Sequence, residues 1–277
     1  MSPIRSLAVA WWACKGTLRL GLDLSTWTPL VVLTILRAAG LLLLVFFHRP
    51  ELVDIGRPIV EWLGGPSATH YPAHLEAVPS MFVGLDAAVL VVLGAMCGGL
   101  AVRTFARRHG FEPDARPGFV LRILNLALVV LVLLALESGV DRLLELVLPE
   151  SFQDRGGRMG AALLIMRAGL LTGLGHYLLY AAAEAGLGAP FWRALRTSFR
   201  VARQEPIGSL ALVAVWAAIS LPFEALLGPV ASGRFFDAPE GQAVIVAARL
   251  LVELVALYLL LGATTRIMIW KRTEVVV

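Results

Sequence analysis

Six apolar stretches, each long enough to cross a bilayer, alternate with short polar segments along the chain. A helix rises 1.5 Å per residue, so about 20 apolar residues cross a hydrocarbon core of about 30 Å. We therefore predict an all-α fold with six transmembrane helices in a single transmembrane domain over residues 1–277. The predicted spans cover residues 29–47, 80–102, 118–136, 159–183, 207–227 and 242–265.

Segments with basic residues at helical spacing precede some of these stretches. In residues 190–204 four arginines follow one another at intervals of three, four and three positions, which places them on one helix face. Leu195, Phe199 and Ala202 fall towards the other face. A helix of this kind lies in the membrane interface and does not cross the bilayer. Its predicted basic face consists of Arg193, Arg196, Arg200 and Arg203.

The same segment recurs near the start of the chain, where one constant offset aligns the two copies. The aligned pairs are Trp11 with Trp192, Ala13 with Ala194, Lys15 with Arg196, Thr17 with Ser198 and Arg19 with Arg200. A third, more divergent segment carries Arg103, Arg107 and Arg108. We predict interfacial helices at about 5–23, 102–110 and 190–204, each followed by two spans. Such elbow-plus-hairpin units start and end on one side of the membrane and are therefore parallel repeats.

Composition and charge agree with an integral membrane protein and predict its orientation. Of the residues 58% are hydrophobic and 16% are charged, against about 25% charged in soluble domains. With the N-terminus in the cytoplasm, 14 Lys and Arg fall on the cytoplasmic side, six on the other side and four within spans. This asymmetry predicts that both termini are cytoplasmic. The basic segments would bind anionic lipid headgroups there, and no nucleic-acid partner is expected.

Prolines and glycines add two local expectations. The first outer loop, 48–79, contains five prolines, so no continuous helix is expected over its length. Gly94 and Gly98 in the second span form a GxxxG motif, as do Gly169 and Gly173 in the fourth. Such motifs predict close contacts between helices.

Ionisable residues inside the spans are the candidate functional residues, because an unpaired charge is costly in a bilayer. Arg249 and Glu253 are four positions apart, so they can pair on one helix face. Two interpretations stay open: a structural ion-pair network, or a polar cavity on the outer side whose arginines bind a carboxylate or phosphate. The set comprises Arg37, Asp86, Arg167, Glu224, Arg249 and Glu253.

A second polar line follows the fourth predicted span at intervals of four positions. It is typical either of a proton path or of a polar seam satisfied between helices. Its members are Thr172, His176, Tyr180 and Glu184. The two cysteines, Cys14 and Cys97, match no metal-ligand spacing, and no metal or cofactor is predicted.

The chain contains no motif of a serine hydrolase, a membrane metalloprotease or a P-loop NTPase. We therefore expect a non-enzymatic integral membrane protein that serves as a scaffold or accessory subunit, with a membrane or cytoplasmic protein partner. Two alternatives are a permease-like transporter subunit with a cytoplasmic coupling helix at 190–204, and a lipid-handling protein that uses the arginines in the outer half of the spans.

The segments Trp11–Pro29 and Phe191–Gly208 each place a basic elbow before a helix break and a span. In this arrangement the chain resembles uncharacterised bacterial six-span inner-membrane families, including the membrane domain attached to some glycerophosphodiester phosphodiesterases. The resemblance implies a multi-pass protein of the bacterial inner membrane. No catalytic residue carries over, because the resemblance covers only the membrane part.

Overall fold

The computed structural model describes residues 3–70, 73–113, 118–148, 158–227 and 239–274, and every regular element in these ranges is helical. The α-helices are α1 Pro3–Arg19, α2 Leu24–Phe46, α3 Val53–Gly64, α4 Ala73–Val89, α5 Ala95–Arg108, α6 Phe119–Val147, α7 Arg158–Gly175, α8 Ala181–Gly186, α9 Phe191–Gln204, α10 Pro206–Leu227 and α11 Pro239–Glu274. A π-helical turn at Leu90–Gly94 joins α4 directly to α5. The predicted all-α class is confirmed.

In the described ranges, four helices are long and apolar enough to cross a membrane: Leu24–Phe46, Ala77–Arg108, Phe119–Val147 and Val244–Thr273. Their outward positions carry large apolar side chains, such as Ile35 at 60% exposure and Leu251 at 64%. Exposed apolar surface of this extent suits contact with lipid. Two shorter apolar helices, Ala161–Gly175 and Pro206–Ile219, lie in the fourth and fifth predicted spans. Crossing of the membrane by all six helices stays a prediction.

The amphipathic helices α1 and α9 lie at one end of the molecule, which we call the elbow end. There they pack with α8 and with the C-terminal parts of α5 and α11 in one apolar cluster. Its buried side chains include Ala13 of α1, Val102 of α5, Ala183 of α8, Val201 of α9 and Ile267 of α11. This cluster brings the first and last helices of the chain together.

The opposite end of the molecule is built around α3, and we call it the α3 end. Val60 of α3 belongs there to one buried apolar cluster with Leu44 of α2, Met81 of α4 and Leu250 of α11. The helix α2 therefore runs from the elbow end to the α3 end, and the continuous helix α4–α5 returns. No single helix covers residues 48–79, as expected, although Pro58 lies inside α3.

The predicted interfacial helix at 102–110 is wrong as a separate element. The helix α5 continues the second span without a break as far as Arg108. Val102, Phe105 and Ala106 are all fully buried, so the apolar face of this helix extends into the elbow end. Because that face is packed against protein, the segment does not lie free in the membrane interface.

The fourth predicted span, 159–183, is not one continuous helix. The helix α7 ends at Gly175, residues 176–180 form turns, and α8 begins at Ala181. Ser198 of α9 supplies the physical reason. Its hydroxyl accepts a hydrogen bond from the Tyr180 N–H at 3.0 Å and donates to the Tyr177 carbonyl at 2.7 Å. These contacts satisfy backbone groups that a continuous helix would pair internally.

The GxxxG motif in the fourth predicted span does not form a close helix contact among the described residues. Such contacts occur at other glycines. Apart from the adjacent residues and backbone of α7 itself, no described atom lies within 4 Å of a Cβ placed at Gly169 or Gly173. A Cβ at Gly208 would lie 2.5 Å from the Ser6 carbonyl oxygen, and one at Gly262 would overlap Thr17. The glycines that permit close approach therefore hold α1 against α10 and α11.

The helices α1 and α9 bury the same positions when they are aligned as the sequence repeat indicates. The fully buried pairs are Ala13 with Ala194 and Thr17 with Ser198. Trp11 is 67% exposed and its counterpart Trp192 is 70% exposed. Both helices thus turn a face of small residues towards the protein and a basic, aromatic face outwards.

Candidate functional site

Arg37 of α2 lies at the centre of a buried ion-pair network. Its Nε and one terminal nitrogen donate to the two carboxylate oxygens of Asp86 in α4, at 2.6 Å each. The same terminal nitrogen donates to Glu253 Oε2 in α11 at 2.8 Å. Only 4% of the Arg37 side chain is exposed. One cation therefore joins three helices inside the bundle.

Arg249 extends this network along α11. Its Nε donates to Glu253 Oε1 at 2.5 Å, which is the pair that a spacing of four positions predicts. Positive and negative groups alternate in the order Asp86, Arg37, Glu253, Arg249, and the two carboxylates balance the two guanidiniums. The Arg249 side chain is 29% exposed and that of Glu253 only 9%, so the network reaches from a buried centre to a partly open edge.

Arg167 of α7 belongs to a different cluster. Its guanidinium contacts Glu137 at 2.9 Å and Asp141 at 2.5 Å, both on α6. Those carboxylates were not candidates on sequence grounds, because the third span was predicted to end at residue 136 and α6 continues to Val147. Their side chains are 41% exposed and that of Arg167 is 20% exposed. The side chain of Glu224, the last residue of the predicted set, lies outside the described residues.

The four residues of the predicted polar line do not form one continuous path. Thr172 lies in α7, and the ring of His176 contacts the Gly173 carbonyl oxygen through Nδ1 at 2.8 Å. The hydroxyls of Tyr180 and Ser209 are 2.9 Å apart, and Glu184 pairs with Arg272 at 2.9 Å. Because the helix breaks after Gly175, each group has its own local environment.

Acidic residues at the α1–α2 and α9–α10 junctions were also missed on sequence grounds. Asp23 caps α2 by accepting a hydrogen bond from the Ser25 N–H at 3.0 Å, and it pairs with Arg108 at 2.7 Å. Hydrogen bonds from Ser25, together with the charge of Arg108, lower the pKa of Asp23. Glu205, which is 1% exposed, lies 3.2 Å from Lys271 Nζ. Each junction acid therefore meets a basic residue at the C-terminal end of a returning helix.

A tyrosine lies against the start of the second helix at each of these junctions. The Tyr258 hydroxyl is 3.0 Å from Thr26 Oγ1 near the start of α2, and its ring stacks on Trp27 with centroids 3.7 Å apart. Tyr180 makes the corresponding contact with Ser209 near the start of α10. Both tyrosines are buried, so both hydroxyl pairs are held inside the elbow end.

The basic face of α9 is fully outward. Arg193, Arg196, Arg200 and Arg203 lie on the outer side of the helix, and they alternate with the buried Ala194, Ser198, Val201 and Ala202. Phe199 is not part of the buried face, because it is 45% exposed. Its ring stacks on Tyr177, and Arg203 lies over it with 5.3 Å between Cζ and the ring centroid. The outward surface of α9 is therefore basic, with the ring of Phe199 between Tyr177 and Arg203.

The geometry limits what the intramembrane charges can do. Each of the arginines 37, 167 and 249 already contacts at least one carboxylate, so an anionic ligand would have to displace a charged partner. Breaking such a buried pair leaves an uncompensated charge in a medium of low polarity. No family model, no curated protein and no solved structure matches this chain.

Proposed function

We propose that this chain is a non-enzymatic integral protein of the bacterial inner membrane and acts as a scaffold or accessory subunit of a membrane complex. The pairing of the intramembrane arginines carries this proposal. Arg37 and Arg167 pair with carboxylates on other helices, and Arg249 pairs with Glu253 on its own helix, so all three charges already have partners within the chain. A protein that handled an anionic lipid through these arginines would need free guanidiniums, and the lipid-handling alternative therefore loses support.

The proposed architecture consists of six spans in three units, each made of an elbow and a hairpin. The matched burial of α1 and α9 supports the internal repeat. Contacts of the same kind at nearby positions also support it: Asp23 pairs with Arg108 and Glu205 with Lys271, and the hydroxyls of Thr26 and Ser209 contact Tyr258 and Tyr180. In the second unit the elbow is the buried end of α5.

The proposed orientation places the elbow end and both chain termini in the cytoplasm. The excess of Lys and Arg in the segments on that side supports it. The outward basic faces of α1 and α9 then meet anionic headgroups, each Lys or Arg contributing about 1 kcal/mol near the surface.

The exposed arginines of α9 favour one alternative, a permease-like subunit in which residues 190–204 form the coupling helix for a cytoplasmic ATPase. The two candidate functions share a prediction: α9 contacts a protein partner. They differ in the kind of partner, because a scaffold binds a protein without nucleotide hydrolysis. The proposed likeness to six-span inner-membrane families is compatible with either.

A charge-reversal experiment tests the proposal. The tagged chain is extracted with its native lipid, and the mass of the particle is measured for Arg196→Glu/Arg200→Glu and for the matched control Lys15→Glu/Arg19→Glu in α1. The proposal predicts a complex larger than the 29.8 kDa chain that is lost only with the α9 variant. Loss with both variants would indicate simple headgroup anchoring, and a particle without partner protein would contradict both candidate functions. ATPase activity in the complex would select the permease-like subunit.

A further inference from the structure

The helix α3 has three different faces along its length. One face packs on the apolar cluster of the α3 end, a second is charged and exposed, and a third is apolar and exposed. Spacings of three and four positions align the members of each face on the helix surface. In this order, the faces consist of Gly56, Val60 and Leu63; of Asp54, Arg57 and Glu61; and of Ile55, Pro58 and Trp62. Such a helix fits a position where protein, water and an apolar medium meet.

The two exposed faces of α3 differ in polarity. On the apolar face Ile55 is 63% exposed and Trp62 is 78% exposed. On the charged face the Nε of Arg57 donates to Glu61 Oε1 at 2.8 Å, and both of these side chains are exposed. A contiguous apolar face of this kind marks a surface that contacts lipid or another protein. The apolar face therefore requires an occupant, whereas the charged face suits water.

The contacts of α3 identify that occupant, because they give its depth relative to the apolar helices. A Cβ at Gly56 would lie 3.4 Å from Leu43 Cδ1, three positions before the end of α2. Leu63 Cδ2 lies 3.1 Å from a Cβ placed at Gly84, seven positions after the start of the apolar helix Ala77–Arg108. At 1.5 Å per residue these contacts are about 5 Å and about 10 Å inside the ends of the two apolar helices. A side chain that points outwards at this level of a spanning helix meets lipid.

We propose that α3 is an interfacial helix embedded in the lipid leaflet at the α3 end. Its apolar face, formed by Ile55, Pro58 and Trp62, lies against acyl chains, while its charged face lies in water. An amphipathic helix in the membrane plane buries its apolar face about 5–10 Å into the boundary between headgroups and acyl chains, which agrees with the depth of the α3 contacts. Tryptophan is enriched at this boundary. The proposal goes beyond the scaffold function and requires only that α2 and the continuous helix α4–α5 cross the bilayer.

Spin labels on the whole chain in lipid vesicles test this placement. Cys14 and Cys97 are replaced by serine, one introduced cysteine carries a nitroxide, and the protein is reconstituted in vesicles of phosphatidylethanolamine and phosphatidylglycerol. Oxygen concentrates in the hydrocarbon, whereas a nickel chelate supplied on both sides of the membrane stays in water, so relaxation by each reagent reports the depth of the label. The matched control is Arg57→Cys, on the charged face of the same helix. We expect the label at Ile55→Cys to be relaxed by oxygen and about tenfold less by the chelate than the control.

Two further labels keep the test valid if substitution at position 55 impairs folding. Trp62→Cys reads the same apolar face and should give the same result, and Ile35→Cys, exposed midway along α2, marks the interior of the bilayer. Equal access of the chelate to positions 55, 57 and 62, with position 35 protected, would overturn the proposal. Access of the chelate to position 35 would show that α2 does not cross, and would overturn it as well.

A second copy of the chain is the competing occupant of the apolar face. It would protect positions 55 and 62 from both reagents and would bring labels on two copies close together. Spin–spin broadening at these positions that disappears on dilution with unlabelled protein would therefore assign the face to a dimer and overturn the contact with lipid.

Discussion

Arg37 is the residue on which the bundle depends most, because it is a buried cation with two carboxylate partners on two other helices. Replacement of Arg37 leaves Asp86 without this partner and leaves Glu253 with Arg249 alone, and an uncompensated buried charge costs about 3–5 kcal/mol. Arg249 has a weaker role. It is partly exposed, and Glu253 keeps its contact with Arg37 when Arg249 is removed.

These two arginines therefore form a matched pair of tests. We expect Arg37→Leu to lower the free energy of unfolding by about 3–5 kcal/mol, and Arg249→Leu by clearly less, as measured by denaturation in mild detergent. The double variant Arg37→Leu/Asp86→Leu, which keeps the Arg249–Glu253 pair, should regain most of the stability, since well-packed apolar residues can replace a buried ion pair. A loss in Arg249→Leu as large as in Arg37→Leu would contradict the central position of Arg37.

At the residue scale the sequence predicts which charges are unusual but not which of them meet. The pair Arg249–Glu253 follows from helical spacing. Arg37 and Asp86 are 49 positions apart, and no periodicity links two different helices. Arg167 was assigned to the same set by depth alone, yet it pairs with α6 because that helix continues well beyond the end that the apolar pattern indicates.

At the scale of elements, small residues allow α1 to pack closely against α10 and α11. Gly262 of α11 faces Thr17 of α1 and Phe105 of α5, both fully buried and therefore unable to move aside. A methyl group added there must push the helices apart. The glycines of α7, by contrast, face open space among the described residues.

Alanine substitutions at the two kinds of glycine should have opposite effects. We expect Gly262→Ala to destabilise the protein by about 1–3 kcal/mol through overpacking. Gly169→Ala, with no described atom near the added Cβ, should be neutral or stabilising by up to about 1 kcal/mol through helix propensity. Melting temperatures of the purified variants distinguish these outcomes. A destabilised Gly169→Ala variant would show that its motif packs against a surface outside the described part of the chain.

The sequence predicts the ends of a helix where hydrophobic periodicity determines them. It does not predict them where contacts with other helices determine them. The amphipathic pattern places the start of α9 next to its observed position at Phe191. The end of α7 at Gly175 depends on the hydrogen bonds that Ser198, in another helix further along the chain, accepts from the Tyr180 N–H and donates to the Tyr177 carbonyl. The helix α5 continues into the elbow end because other helices bury Phe105 there. Neither contact has a local signal.

On the scale of the whole molecule, the elbows connect different parts of the chain. The helix α1 packs on α10 and α11, and α9 packs on α6 and α8. If the chain consists of three units, each of these two elbows lies on the hairpin of another unit. In such an arrangement the first unit packs against the third. This explains why the first and last helices share one apolar cluster.

Hydropathy alone does not determine how many helices cross the membrane. Among the described residues four helices have the length and composition of spans, while α7 and α10 contain shorter apolar stretches. If neither of these two crossed and the N-terminus were cytoplasmic, α9 would lie outside the cell, because three crossings precede it. With six crossings it lies in the cytoplasm, at the same membrane face as α1. The common packing of α1 and α9 at the elbow end favours six.

The side of the membrane on which α9 lies is therefore the most direct test of the six-span architecture. Cys14 and Cys97 are replaced by serine, and Arg193→Cys is introduced on the exposed face of α9. Labelling with a membrane-impermeant maleimide is measured in spheroplasts before and after permeabilisation, with Arg57→Cys in α3 as the externally accessible control. Six crossings predict that position 193 is labelled only after permeabilisation, while position 57 is labelled in both states. Labelling of position 193 in intact spheroplasts would contradict the cytoplasmic elbow and the three-unit architecture with it.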